Sequence, residues 1–238
     1  MKVALVTGSS SGIGEEVARR LAGDGFTVVV NSRSSVEAGQ AVARSVGGSY
    51  LQADVGDEAA ARDLVDRVLA RHGRLDVLVN NAGTTQVIPH DDLAAATPEI
   101  WRHLYDVNVI APFVLVTAAE AALCSSQGCV VNVSSLAGVR PLGSSIPYAA
   151  SKAALNHLTR LLAKALGPGI RVNAVAPGLV DTPWTDDWDE LRSLVRTVAP
   201  LRRSATPADV AEVVLGLVRS TYVTGEVVVV DGGLGLTA

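Results

Sequence analysis

Apolar residues in this chain gather in short unbroken runs separated by longer mixed stretches. The runs are Val3–Val6, Phe26–Val30, Tyr50–Gln52, Val77–Val79, Cys129–Val133, Arg171–Val175 and Val227–Val230. They are mostly apolar without alternation, as strands covered on both faces must be, and this predicts a parallel sheet. The mixed stretches carry apolar residues at three- and four-residue spacing, the period of a helix with one buried face. They predict helices over Ile13–Ala22, Val36–Val46, Glu58–Arg71, Pro98–Leu123 and Tyr148–Leu166. Strands alternating with helices predict a doubly wound α/β fold, a parallel seven-stranded sheet with helices on both faces. No linker or composition break divides the chain, so residues 1–238 read as one domain. Residues 182–205 break the rhythm with a weakly amphipathic stretch. They hold Trp184 and Trp188, two of only three tryptophans, and read as a lid over a substrate.

Composition narrows the function. Hydrophobic residues make up 48% and charged residues 18%, which supports a substantial core and excludes disorder. A net charge of −4 without a basic stripe argues against nucleic acid as partner. Two cysteines, Cys124 and Cys129, make neither a zinc ligand set nor a disulfide framework, so no metal is expected. No unbroken apolar run approaches the roughly 20 residues of a membrane span. The first strand starts almost at Met1 with no leader before it, which predicts a cytoplasmic protein.

The first strand runs straight into Thr7-Gly8-Ser9-Ser10-Ser11-Gly12-Ile13-Gly14, which opens a helix. Glycine lets a backbone turn sharply and approach a ligand closely. A helix N-terminus offers free N–H groups and a positive dipole end to a pyrophosphate. Strand, turn and helix together predict a dinucleotide site. The second strand ends Asn31-Ser32-Arg33, where an acid would select a ribose 2′-hydroxyl. Arg33 instead suits a 2′-phosphate, with Asn31 and Ser32 adding polar contacts, so NADP(H) is expected over NAD(H). Asp54-Val55 and Asn80-Asn81-Ala82-Gly83 follow the third and fourth strands, at the ends where such sheets bind ligands.

Tyr148 and Lys152 stand four apart on a predicted helix, on one face. A lysine cation beside a phenol favours the phenolate, lowering a pKa of roughly 10 and making a general acid/base for carbonyl/alcohol interconversion. Ser134-Ser135 ends the fifth strand, within reach of the same cleft. Asn108 is an amide in an apolar helix, where a polar group needs a partner.

These residues resemble the short-chain dehydrogenase/reductase family along essentially the whole chain. The matches are Thr7-Gly8-x-x-x-Gly12-Ile13-Gly14, Asn80-Asn81-Ala82-Gly83, Asn108-Val109, Ser135, Tyr148-x-x-x-Lys152, Pro177-Gly178 with Thr182, and Asp231-Gly232-Gly233. Within the family, the branch that includes 3-oxoacyl-[acyl-carrier-protein] reductases is most similar. The resemblance implies a Rossmann-type fold with Tyr148 as proton donor, Lys152 lowering its pKa and bonding the nicotinamide ribose, and Ser135 orienting the carbonyl. It implies that Asn108 holds a relay water, that Asp54 and Val55 line the adenine, and that Asn81 meets the adenosine side. It places Pro177, Gly178, Val180 and Thr182 at the carboxamide. Ser10, Ser11, Ala82 and Gly83 complete the expected cofactor contacts. Ser11 fills a place where many NADP-preferring relatives carry a basic residue, leaving the selection to Arg33.

The expected activity is NADPH-dependent reduction of a ketone or aldehyde. The alternatives are NAD-dependent oxidation of a secondary alcohol, and a non-catalytic NADP(H)-binding sensor. The substrate pocket, from Trp184, Trp188, Leu191, residues 136–142 and residues 84–88, suits an apolar small molecule. Relatives pair their long helices, so a homotetramer or homodimer is expected.

Overall fold

The computed structural model describes residues 1–237. Seven strands form one parallel sheet: β1 Val3–Val6, β2 Thr27–Ser32, β3 Ser49–Gln52, β4 Val77–Asn80, β5 Cys129–Val133, β6 Arg171–Pro177 and β7 Val227–Val230. Their order is β3-β2-β1-β4-β5-β6-β7. The chain winds outward from β1 in one direction, then returns to start β4 on its other side. Loops leaving β1 and β4 therefore diverge, and the crevice between them is the topological switch point where such sheets bind ligands.

Alternation along each strand divides the core. Ala4 and Val6 face α1 (Gly12–Gly23), α2 (Val36–Ser45) and α8 (Pro207–Arg219), packing with Val17, Leu21, Val42 and Val214. Val3 and Leu5 face α3 (Glu58–His72), α5 (Ala111–Ser126) and α6 (Ile146–Leu166), packing with Leu64, Leu115 and Leu162. Both faces are covered, which explains the uninterrupted apolar runs.

Local chemistry sets where the helices begin. Asp57 Oδ1 accepts from Ala60 N at 2.8 Å to cap α3, and Thr206 and Asp209 form a capping box at α8. At α6 the Ser145 hydroxyl accepts from Tyr148 N at 3.4 Å, with Pro147 in the first turn. The helix thus starts two residues earlier than the predicted Tyr148. Tyr148 sits in its first turn, at the mouth of the crevice, and Lys152 lies one turn deeper.

Two expectations need correction. The predicted helix Pro98–Leu123 is α4 (Pro98–Tyr105) and α5, joined by a π-helical turn, Asp106–Ile110, in which Ala111 N bonds to Asp106 O. Pro112 has no N–H for the Asn108 carbonyl that lies four residues before it, so an α ladder cannot run unbroken here. This run, Pro98–Ser126, is also long and apolar enough to cross a membrane by length and composition. Counting only unbroken apolar stretches missed it. Here Leu104, Val114, Leu115, Ala119 and Leu123 are buried in the fold.

The second correction concerns residues 182–205, read as weakly amphipathic. They form a 3-10 turn, Pro183–Thr185, and a strongly amphipathic α7, Asp189–Val198. Val195 is buried with Leu179, Ala199, Trp188 and Leu234. Arg192 ties the segment down, donating to Asp181 Oδ1, Asp186 O and Asp189 Oδ1, each at 3.0 Å.

Candidate active site

One cavity of about 1460 Å³ runs along the carboxyl ends of the strands. It exceeds the roughly 300–1,000 Å³ of a typical single-ligand pocket, so it has room for a cofactor and a substrate together. Every predicted site residue lines it except Gly14 and Asn108, which lie behind its wall.

The glycine turn is built around close backbone contacts. Gly8 has φ +60°, a conformation open to few other residues. A Cβ at Gly14 would sit 2.4 Å from Asn81 Nδ2 and 2.6 Å from Gly8 O. Asn81 Nδ2 donates to Thr7 O and Gly8 O, both at 2.9 Å. Thr7 Oγ1 in turn accepts from Asn81 N at 3.1 Å and Ala82 N at 3.0 Å. The loops after β1 and β4 are therefore stitched together across the switch point. Helix α1 begins at Ser11 with no side-chain cap, so its first N–H groups remain available to an anion. Such a cradle, which a Cβ would fill, fits a dinucleotide pyrophosphate.

At the far end, Arg33 is exposed and enters none of the ion pairs among the described residues. Asn31 and Ser32 are buried, and their polar atoms are committed. Asn31 Nδ2 donates to Leu51 O at 3.1 Å and Ala53 O at 3.2 Å. Asn31 Oδ1 accepts from Gly8 N at 3.4 Å. Ser32 Oγ donates to Ser35 O at 3.1 Å. Both line the cavity, as does Arg33, and these bonds also shape the loop that carries Arg33. Asp54 Oδ1 accepts from Gly56 N at 3.0 Å beside the buried Val55.

At the opposite end, Ser135, Tyr148 and Lys152 converge. Ser134 and Ser135 both line the cavity, but the Ser134 hydroxyl is spent on Lys152 O at 3.3 Å. Lys152 is buried, and Nζ donates to Val133 O at 3.0 Å. Nζ also lies 5.8 Å from the centroid of the Tyr148 ring. Burial pulls the Lys152 ammonium down to about 8. Burial pushes the Tyr148 phenol up, tempered by its hydrogen bond with Ser135. The expected depression of the tyrosine by lysine is therefore not what this geometry produces: desolvation prevails, and Tyr148 holds its proton at neutral pH.

Asn108 is buried, and its side chain is fully engaged. Oδ1 accepts from Thr84 N at 2.9 Å; Nδ2 donates to Thr84 O at 3.0 Å and Ser151 Oγ at 3.1 Å. It braces the loop after β4 against α6. Sequence reasoning passed over Ser151, although its place between Tyr148 and Lys152 was a signal. It also passed over Leu194 and Val198, which line the cavity beside Leu191 at helical spacing. Pro177, Gly178, Val180 and Thr182 line the same cavity. Among the described residues, no three His, Cys, Asp or Glu side chains cluster as metal ligands.

A family model described as "Enoyl-(Acyl carrier protein) reductase" matches residues 8–235. A structure from Burkholderia xenovorans, described as a short-chain dehydrogenase/reductase, superimposes with TM-score 0.92 at 40% identity, covering 99% of this chain and 98% of that one. The chain belongs to the short-chain dehydrogenase/reductase family. Two similar reductases have curated names. One, from Streptomyces violaceoruber, is named as ketoacyl reductase 2 of the granaticin polyketide synthase. It is 58% identical over 98% of this chain and 96% of its own length. The other, the 3-oxoacyl-[acyl-carrier-protein] reductase FabG of Thermotoga maritima, is 37% identical over 98% and 97%. Membership of this dehydrogenase/reductase family accounts for a cavity with a phosphate cradle at one end and a tyrosine–lysine pair at the other.

Proposed function

We propose that this protein is an NADPH-dependent reductase that converts a ketone of the 3-oxoacyl type to a secondary alcohol. The carrying observation is the convergence of Ser135, Tyr148 and Lys152 in the cavity that begins at the glycine turn. The two named relatives support a carbonyl substrate over the carbon–carbon double bond in the family model's description.

The bound nicotinamide would supply the hydride. Tyr148 holds its proton because its phenol is desolvated, and would deliver it to the carbonyl oxygen. Ser135 would donate a second hydrogen bond to that oxygen, stabilising the charge that develops there. Lys152 keeps one proton on Val133 O and has two left for the nicotinamide ribose and a relay through Asn108. The glycine turn would hold the pyrophosphate, and Arg33 the 2′-phosphate. Trp184, Leu191, Leu194 and Val198 are 49%, 39%, 54% and 37% exposed while lining the cavity. They would cover the apolar part of an acyl chain, making 182–205 the substrate lid.

The same reading makes the protein a cytoplasmic homotetramer or homodimer. Phe113 on α5 and Leu161 on α6, with Ile110 in the turn before α5, are large exposed apolar side chains that support the pairing, and the free Cys124 and Cys129 suit a reducing compartment.

Incubation with NADPH and an acetoacetyl thioester should consume the reduced nicotinamide, with NADH slower. If neither cofactor is oxidised with this or a bulkier 3-oxoacyl thioester, the reading fails. Losing a charge-assisted contact with a phosphate costs roughly 1.5–3 kcal/mol, or about 10- to 100-fold. Arg33→Ala should therefore raise the KM for NADPH by about that factor and leave the KM for NADH within about twofold. Equal effects on both would remove the NADPH preference.

A further inference from the structure

We propose that Tyr50 is a positioning residue for cofactor selection: it holds the loop carrying Arg33 in the shape that presents its guanidinium to a 2′-phosphate. The inference rests on the NADPH reading and assigns a role to a residue that would not itself touch the cofactor.

The Ser32 hydroxyl lies 3.1 Å from Ser35 O, and a carbonyl can only accept. The one hydroxyl proton of Ser32 is therefore spent. Ser32 Oγ also lies 2.9 Å from the Tyr50 hydroxyl, so in that contact Tyr50 must donate. The result is a directed chain, Tyr50 OH to Ser32 Oγ to Ser35 O, which closes a turn around Arg33 and Ser34. A second anchor comes from the same strand: Gln52 Nε2 donates to Arg33 O at 2.9 Å. β3 thus holds the Arg33 loop at two points, and the guanidinium stays outside both.

The Tyr50 ring has a seat made for it. Gly39 lies within α2 and is buried, where helix propensity disfavours glycine. A Cβ there would come within 2.3 Å of Tyr50 Cε2 and 2.7 Å of Cδ2. The glycine in the helix is explained by the ring that lies against it, and the ring fixes where the hydroxyl points.

The test is calorimetric binding of 2′,5′-ADP and of ADP, which differ in whether the ribose 2′-position carries a phosphate. Tyr50→Phe keeps the ring on Gly39 and removes only the donor. It should weaken 2′,5′-ADP about 3- to 10-fold, the range of one ordinary hydrogen bond, and leave ADP within twofold. The KM for NADPH should rise by the same factor relative to that for NADH. Gln52→Ala, which releases the other anchor, should act in the same direction. Arg33→Ala is measured beside them. If it loses 2′,5′-ADP selectively while Tyr50→Phe binds both ligands as the wild type does, Tyr50 has no positioning role and the NADPH reading stands. A loss of both ligands together in Tyr50→Phe would mark general loosening and also overturns the proposal. If Arg33→Ala itself shows no selectivity, the NADPH reading falls and takes this inference with it.

Discussion

Replacing Tyr148 with Phe should lower kcat by about 10²- to 10⁴-fold, the usual contribution of a positioned general acid, and leave NADPH affinity within about twofold. The substitution removes one oxygen and keeps the ring, so the face that Lys152 approaches at 5.8 Å is retained. Ser135 loses its hydrogen-bond partner but keeps the Ala137 N–H, which it accepts at 3.2 Å. The loss should therefore fall on the chemical step. Steady-state kinetics with an acetoacetyl thioester, beside NADPH titration by fluorescence, separates the two effects. A variant turning over near the wild-type rate would show that the proton comes from elsewhere. The pH profile adds a second check. Burial holds the Tyr148 phenol above its ordinary range, so the acid form persists through neutrality. Lys152 loses its proton near pH 8, so reduction should decline above that pH while Tyr148 is still protonated.

Lys152→Met should abolish most of the activity and make the protein more stable. In the folded chain the Lys152 ammonium titrates at about 8, against roughly 10.4 for an unperturbed lysine. The unfolded chain therefore binds this proton more tightly, and stability rises with pH between those two values. Below about 8 the buried charge opposes folding in full. By linkage this amounts to about 3 kcal/mol, which methionine would relieve. The Val133 carbonyl then loses the Nζ donor at 3.0 Å, a penalty of about 1 kcal/mol. The net gain of about 2 kcal/mol corresponds to a melting temperature higher by about 4–8 °C near pH 7. Thermal unfolding at pH 7 and pH 9.5 checks the sign, because the advantage should shrink at the higher pH. A variant less stable than wild type at pH 7 would mean that the buried ammonium is compensated by contacts beyond Val133.

The division between what could be read from the chain and what could not follows the range of the forces involved. By itself the sequence determined the parallel sheet, because a strand buried on both faces must be apolar at nearly every position, as at Val28–Val30. It determined the switch-point crevice through a glycine turn placed directly after β1. It determined the Tyr148–Lys152 pair, because residues four apart on a helix share a face. These are local rules, carried by neighbours along the chain. Only the tertiary structure decided which partners Asn31 and Ser32 take, since Leu51 and Tyr50 lie on a different strand and Ala53 just beyond its end. It alone decided that the Asn108 side chain braces Thr84 and Ser151, 24 and 43 residues away. It decided the sense of the tyrosine shift, because desolvation depends on everything packed around Tyr148 and not on the lysine four positions on. Hydrogen-bond partners and burial are set by what the fold brings together, and spacing along the chain does not record them.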